Sequence, residues 1–359
     1  MQNFRNYELQ KVELSPYCNV FYGLNAQGKT NFLESVRFMS IGKSMRENND
    51  KDLVKWGEEF AKMRAVAVKS DVSRTVDITL SRLKPKSLKI NGVPVTRIGE
   101  LMGVIATVLF SPDEIAIVKN GPADRRRFMD IALCQLSKTY FYTLQRYNKV
   151  LQQRNSLIKS GRADENSLYV WDLQLAGYAA VIARNRKGFV GRLNALASEN
   201  HAFLTSDKEK LGLVYEGTTC ESDEETKAEF MRLLRLDREK DLKYGFTHCG
   251  VQTDDIKVVV NGVDVRKYGS QGQQRTAALS LKLSEVDLYR DRTGESPILL
   301  LDDVFSELDP ERTERLIAKI DGVQSIVTCT DREVVPGSRV KYFEVSRGSV
   351  TPVSATITE

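Results

Sequence analysis

The chain has 359 residues, 41% hydrophobic and 28% charged, which is enough apolar material for one large core or two modest ones and predicts about two domains. No apolar run approaches the ~20 residues that a bilayer-spanning helix requires, and no basic segment followed by an apolar core opens the chain, so a cytoplasmic protein with no membrane role is expected. A net charge of +5 selects no partner, and five scattered cysteines with two histidines, His201 and His248, offer neither zinc-ligand spacing nor a Cys-His nucleophile, so free, buried thiols are expected.

In chain order, Asn19-Val20-Phe21-Tyr22 predicts a short buried strand, and residues 31–39 have the helical spacing of apolar residues. Between them lies Gly23-Leu24-Asn25-Ala26-Gln27-Gly28-Lys29-Thr30, which fits the phosphate-cradling pattern GxxxxGK[ST] in the strand, loop, helix order its chemistry requires. The glycines let backbone N–H groups approach phosphates, and the helix start adds its positive dipole end. Lys29 is placed to reach the outer phosphates and the Thr30 hydroxyl to ligate Mg2+, so the expected ligand is a nucleoside triphosphate with Mg2+.

Val66 to Lys69, Thr75 to Leu80 and Ser87 to Ile90 have strand character, and Asn91-Gly92 supplies the φ > 0 pair of a two-residue hairpin. An antiparallel layer beside the nucleotide core is expected. From about Gly121 the pattern turns helical. Leu136, Tyr140, Leu144, Tyr147 and Leu151 form one stripe; Trp171, Leu175, Tyr178 and Ile182, continued by Phe189, Leu193 and Leu196, form another across a polar turn at 160–167. Two helices of about 35 residues, packed as an antiparallel hairpin, are predicted. Arg125-Arg126-Arg127 and Arg184-Asn185-Arg186-Lys187 read as basic runs on solvated faces.

Near Thr247 β character returns, with a strand at Ile256 to Val260, a turn at Asn261-Gly262 and a return strand at Val263 to Val265. Tyr268-Gly269-Ser270-Gln271-Gly272-Gln273-Gln274-Arg275 then precedes a helix expected over 276–289. Ser270 offers a hydroxyl, Gly272 an unobstructed backbone N–H and the helix start a dipole, a combination suited to phosphate. The segment resembles the signature loop of ABC-type ATPases. Pro297 to Leu301 is a wholly apolar strand ending in Asp302-Asp303, as a buried parallel strand beside a ligand should be. Asp302 is placed to hold Mg2+ through water as a Walker B aspartate, and Asp303 to orient or deprotonate the attacking water. Ser306-Glu307-Leu308-Asp309 matches the D-loop pattern of that class. Ser325 to Thr330 predicts another buried strand, with Thr328 or Thr330 where many ABC ATPases carry a switch histidine.

Together these motifs resemble the RecF family of bacterial recombination and repair ATPases, relatives of the SMC proteins, over nearly the whole chain. The resemblance is carried by Asn3-Phe4-Arg5-Asn6-Tyr7, by Gly23 to Asn31, by Phe110-Ser111-Pro112-Asp113-Glu114, by Gly121 to Asp130, by Ser270 to Leu283 and by Leu300 to Asp309. It implies an α/β fold, an ABC-type (SMC-like) P-loop ATPase lobe over residues 1–120 and 247–359 with a compact helical arm inserted at 121–246. It adds Arg5 and Asn6 to the ATP-binding set, and makes Asp303 and Lys29 the catalytic pair. It implies a homodimer formed on ATP binding, in which each signature loop faces the phosphates held by the other subunit. It further implies a slow, DNA-stimulated ATPase that binds duplex DNA near gaps and single-strand junctions and helps load recombinase with RecR and RecO.

The resemblance has two departures. The chain starts close to Phe4, where family members begin several residues earlier, so a reassigned start or a trimmed first strand is expected. Where relatives commonly read GPHRDD, Gly250-Val251-Gln252-Thr253-Asp254-Asp255 lacks the histidine and the arginine. Asp113 and Glu114 are the nearest substitutes for a glutamine-loop ligand. Lys43 and Arg46 after the P-loop helix, and Arg125 to Arg127 at the arm entry, are the expected DNA surface, with sequence-independent and steeply salt-dependent contacts to phosphates. A non-hydrolysing ATP-dependent scaffold and an ABC transporter subunit are the alternatives.

Overall fold

The computed structural model describes residues 1–69, 71–332, 335–336 and 339–353. Strands β1 (Gln2–Phe4), β2 (Tyr7–Leu9) and β3 (Cys18–Tyr22) precede helix α1 (Lys29–Ile41). Strands β4 (Phe60–Lys69), β5 (Val72–Ser81), β6 (Ser87–Ile90), β7 (Val93–Val95) and β8 (Thr107–Phe110) follow. Next come α2 (Ala116–Lys119), α3 (Pro122–Leu136), α4 (Lys138–Lys159), α5 (Glu165–Thr205), β9 (Leu211–Glu216), α6 (Asp223–Leu236) and α7 (Arg238–Tyr244). Strands β10 (Asp255–Val260) and β11 (Val263–Asp264) and the single turn α8 (Val265–Tyr268) lead into α9 (Gln271–Thr293). The remaining elements are β12 (Ile298–Asp302), α10 (Pro310–Ile320), β13 (Ser325–Cys329), β14 (Val340–Ser346) and β15 (Ser349–Val353). Among the described residues no helix is long and apolar enough to cross a membrane.

Two compact units divide the chain: Met1–Glu114, Phe203–Thr205 and Lys282–Glu359 form the first, and Ile115–Ala202 with Ser206–Leu281 the second. The changeover thus falls at 281/282, inside α9, rather than near 247, and the Ser270 loop belongs to the second unit.

The first unit holds two six-stranded sheets, in the orders β2-β1-β4-β5-β6-β7 and β15-β14-β3-β13-β12-β8. In the second sheet β14, β3, β13, β12 and β8 run parallel, and β13 and the last four residues of β12 are buried, in keeping with the apolar run from Ile298 to Leu301. Helix α1 is covered on more than one side. Phe32, Leu33 and Val36 join the core of β3, β12 and β13, while Phe38 and Met39 join the core of the antiparallel sheet. Phe21 stacks between Phe32 and Phe343, with ring centroids 4.3 and 4.7 Å away. The Asn91-Gly92 turn has φ of 51° and 79°, the paired positive values that a tight hairpin demands.

In the second unit, the two predicted long helices become three. Ser137 sits at φ −148° and its hydroxyl accepts the Tyr140 N–H, so an N-cap breaks the first helix into α3 and α4. The expected stripe from Leu136 to Leu151 is therefore split, and the buried side of α4 is instead Tyr140, Tyr147, Val150, Arg154 and Ile158. The antiparallel hairpin of α4 and α5 holds. Arg154 bonds Asp172 and Tyr140 bonds Arg186, so fourteen residues back along α4 correspond to fourteen forward along α5.

Two arginines that read as surface charge, or as nothing in particular, are core residues. Arg154 is fully buried and bonds Asp172 at 2.7 Å, Asp241 at 2.6 Å and the Thr247 hydroxyl at 2.8 Å. Arg186, placed by sequence on a solvated run, is 2% exposed and bonds Asp254 at 2.8 Å and Asp130 at 2.9 Å. Arg125 is likewise buried and paired with Asp255 at 2.6 Å, and Arg126 donates to the Asp254 carbonyl, so of the expected DNA-facing triplet only Arg127 is exposed. Removing one partner of a buried pair leaves the other charge stranded. Arg186→Ala is therefore expected to cost about 3–5 kcal/mol, read as a lower denaturation midpoint of the full chain; a midpoint shift equivalent to less than about 1 kcal/mol would contradict this. The cysteines are free, and burial pushes the thiols of Cys134, Cys249 and Cys329 up to about 12, whereas Cys220 is exposed, contrary to expectation.

Candidate active site

The phosphate loop connects β3 to α1, and two glycines make its path possible. Gly23 has φ 148° and a Cβ there would lie 2.4 Å from the Val345 carbonyl oxygen; Gly28 has φ 120° and its Cβ would lie 2.6 Å from the Asn6 amide. The loop is bonded from behind. Asn6 Nδ2 donates to the Gln27 carbonyl at 2.9 Å, the Tyr7 hydroxyl to the Gly28 carbonyl at 2.9 Å, and the Gly348 N–H to the Gln27 carbonyl at 3.1 Å. With its carbonyls tied back, the front of the loop and the first turn of α1 are left to an anion. No side chain caps that turn and none of its residues is acidic.

Lys29 Nζ donates to the Gly23 carbonyl at 2.6 Å and the Leu24 carbonyl at 2.9 Å, so the side chain curls over its own loop. Burial lowers its pKa, opposed by Asp303, Cys329 and Asp302. Across the cavity, β12 delivers Asp302. The parallel register sets Asp302 beside Thr328, and Asp302 Oδ1 accepts both the Thr328 hydroxyl at 2.7 Å and the Thr30 hydroxyl at 3.0 Å. Burial raises the Asp302 pKa, against the pull of the two hydroxyls and of Arg46, whose guanidinium lies 4.0 Å from Oδ2. Asp303 adopts the left-handed region at φ 53°, with its N–H bonded to the Thr328 carbonyl and hydroxyl. Thr30, Asp302 and Asp303 line one cavity with Asn25, Ala26, Gly28, Lys29, Asn31, Arg46 and Thr328.

The donors fit Mg2+. Among the described residues no group of three or more His, Cys, Asp or Glu is placed to hold a metal. What the cavity offers is one hydroxyl and one carboxylate already in contact, suited to a hard cation that keeps most of its ligands as water and phosphate oxygens.

Several expected residues serve differently. Arg5 is outside the cavity lining: its guanidinium is spent on Glu34 at 2.8 and 3.1 Å and on Glu47 at 3.1 Å, which fixes α1 against the segment after it. Asn6 holds the back of the phosphate loop and accepts from Asn31. Thr328 lines the cavity with its hydroxyl bonded to Asp302, whereas Thr330 is exposed outside the lining. Glu114 pairs with Lys282 at 3.5 Å, and neither it nor Asp113 lines the cavity. Gln252 and Thr253, at the altered positions of the GPHRDD segment, bond within the second unit: Gln252 Oε1 accepts the Tyr147 hydroxyl, and the Thr253 hydroxyl donates to the Gly250 carbonyl at 2.7 Å.

Arg46, expected on the DNA surface, lines the phosphate-loop cavity instead. No local pattern announces it. Ser44 accepts the N–H groups of Arg46 and Glu47 and donates to the buried Glu34, a turn that aims Arg46 across the loop.

In the second unit Ser270 opens α9 as an N-cap. Its hydroxyl oxygen accepts the Gln273 N–H at 3.2 Å and Gln273 Oε1 accepts the Ser270 N–H at 3.0 Å, a reciprocal capping box. Gln273 in turn donates to Glu209 at 2.8 Å. Ser270 is exposed, Gly272 half-buried, and the first turn of α9 carries no acid. The Ser270 oxygen receives a bond there, which leaves its own proton for an acceptor such as phosphate.

Comparison with known proteins agrees with this geometry. The RecF/RecN/SMC N terminal domain model matches residues 1–348. The DNA replication and repair protein RecF of Lachnoclostridium phytofermentans is 44% identical over 98% of this chain and 97% of its own length. That of Lachnospira eligens is 42% identical over 98% and 97%. A solved structure of the recombination mediator protein RecF-ATP in the RecFOR pathway is 37% identical with a TM-score of 0.92, covering 98% of this chain and 96% of the other. With its phosphate loop, Walker B pair and capped signature loop carried on this α/β scaffold, the chain belongs to the RecF family of SMC-like ATPases.

Proposed function

We propose that this chain is an ATP-dependent DNA-binding protein of recombinational repair and replication-fork maintenance. ATP binding closes a homodimer on DNA near single-strand/double-strand junctions. The closed dimer acts with RecR and RecO to load recombinase at gaps, and slow, DNA-stimulated hydrolysis resets it. The observation that carries this reading is the presence of two phosphate-seeking elements in one chain: the loop at Gly23–Thr30, with carbonyls bonded from behind, and the exposed, acid-free start of α9 at Ser270. A site with both elements from one subunit needs no second copy, whereas a signature loop offered to another subunit's phosphates makes ATP the adhesive.

Each residue then has a definite task. The N–H groups of the loop and of the first turn of α1 bind phosphate oxygens, and Lys29 leaves the Gly23 and Leu24 carbonyls to neutralise the outer phosphates. When bound, Mg2+ neutralises charge on the phosphate oxygens and orients them. Thr30 and Asp302 hold that position, and Thr328 fixes the Asp302 carboxylate by donating to it. Arg46 adds a positive charge on the cavity wall. Asp303 orients the attacking water and accepts its proton.

Sedimentation velocity and ATP turnover, with and without gapped DNA, test the reading. ATP but not ADP is expected to shift the chain from monomer to dimer, and gapped DNA to raise turnover. A chain that stays monomeric at saturating ATP and Mg2+ contradicts it.

A further inference from the structure

The outer face of α4 lies in a stretch of chain without acids. From Ile131 to Ala163 the chain has no Asp or Glu across 33 residues, where its average of 48 acids in 359 would place about four, and it has six cations. One of these, Arg154, points into the second unit and is neutralised there by Asp172 and Asp241. On the other side of the helix, Gln145, Arg146, Lys149, Gln152, Gln153 and Lys159 are exposed. At 100° per residue Gln145, Lys149, Gln152 and Lys159 fall within about 80° of one another, with Arg146 and Gln153 flanking them. The strip from Gln145 to Lys159 is about 21 Å long.

Some exposed cations elsewhere have acids beside them: Arg232 pairs with Glu229, Arg184 with Asp223 and Arg64 with Asp77. Among the described residues Arg146, Lys149 and Lys159 have no such ion pair. A row of unneutralised cations alternating with amide donors suits an acceptor-rich polyanion, because phosphate oxygens take bonds from Lys, Arg, Asn and Gln alike. The strip offers no aromatic or aliphatic anchor of the kind that dominates protein interfaces, and no apolar face to enter a bilayer. Over about 21 Å a duplex presents about twelve phosphates, more than enough for three cations.

We propose that the outer face of α4 is a docking strip for the phosphate backbone of duplex DNA, with Arg146, Lys149 and Lys159 as the ion-pairing residues. The proposal rests on the DNA-binding reading above, and replaces a surface at Arg125 and Arg126 whose side chains are already engaged.

The test compares full-length wild type, Arg146→Gln/Lys149→Gln/Lys159→Gln, and a control with the same charge change on the antiparallel sheet and its loop, Lys62→Gln/Lys84→Gln/Lys89→Gln. Binding to a blunt duplex in the presence of ATP and Mg2+ is measured by anisotropy between about 50 and 200 mM salt. The α4 variant is expected to lower the slope of log K against log salt by about two to three and to bind on the order of 100-fold more weakly. DNA-free ATP turnover and ATP-dependent sedimentation should stay at wild-type values, which shows that the variant is folded, and the control should keep the wild-type slope. Poly-glutamate at equal charge should not displace the duplex. A wild-type slope in the α4 variant, an equal loss in the control, or displacement by poly-glutamate overturns the assignment. If wild type itself binds no duplex, the DNA-binding reading falls with it; if wild type binds and only the slope prediction fails, that reading stands and the α4 strip does not.

Discussion

Asp303→Asn is expected to lower ATP turnover by about 100- to 10,000-fold, the range for loss of a positioned general base, while ATP binding persists and the dimer becomes long-lived. The substitution is a clean one. Asp303 sits at φ 53°, a region that Asn tolerates as readily as Asp, and its backbone N–H is held by Thr328 whatever the side chain. Its carboxylate lines the cavity, whereas the neighbouring Asp302 is tied to Thr30 and Thr328. An amide of the same shape keeps the loop and removes only the charge and the basicity. Single-turnover hydrolysis and the dissociation rate of the ATP-bound dimer measure the two halves of the expectation. Wild-type turnover in Asp303→Asn would remove Asp303 as the water-orienting base, and no measurable turnover in wild type would favour the non-hydrolysing scaffold.

Ser270→Arg is expected to abolish ATP-dependent dimerisation and leave ATP binding by the monomer intact. Two physical effects act together. Arginine cannot accept the Gln273 N–H as the serine oxygen does, so the N-cap is lost at a cost of about 1 kcal/mol to the start of α9. The longer side chain also fills the space in which a serine hydroxyl would meet another subunit's phosphate. A dimer affinity reduced more than about 100-fold, roughly 2.7 kcal/mol, is the expected magnitude. Ser270→Thr retains both hydroxyl functions and should dimerise. Equal ATP-dependent sedimentation of Ser270→Arg and wild type would place the signature loop outside the interface.

The legible parts of the site share one property: each is written in contiguous residues. Gly23 to Thr30 specify a strand end, two positive-φ glycines and a helix start within eight positions, so pattern alone locates the loop. The wholly apolar strand ending in Asp302 and Asp303, the Ser270 cap and both Asn-Gly hairpins are local in the same way. Misread residues depend on partners far along the chain. Arg46 looks like any cation after a helix until the fold brings in Asp302. Arg186 lies in the basic run Arg184-Asn185-Arg186-Lys187 and reads as surface until Asp254, 68 residues later, neutralises it. The apolar stripe runs past Ser137 at helical spacing, which conceals the break between α3 and α4.

By itself, then, the sequence determined that a phosphate-loop pattern ends at Lys29 and Thr30, that Asp302 and Asp303 end a buried strand, and that Ser270 starts a helix. Short-range geometry suffices for each. The tertiary structure decided what those parts touch. Thr30 and Asp302, 272 residues apart, share a hydrogen bond because the parallel register of β12, β13 and β3 brings one strand end against the phosphate loop. The same folding buries Arg125, Arg154 and Arg186 against carboxylates, because a charge leaves water only when a partner meets it, and leaves Arg146, Lys149 and Lys159 on the outer face of α4 in solvent with no ion pair among the described residues.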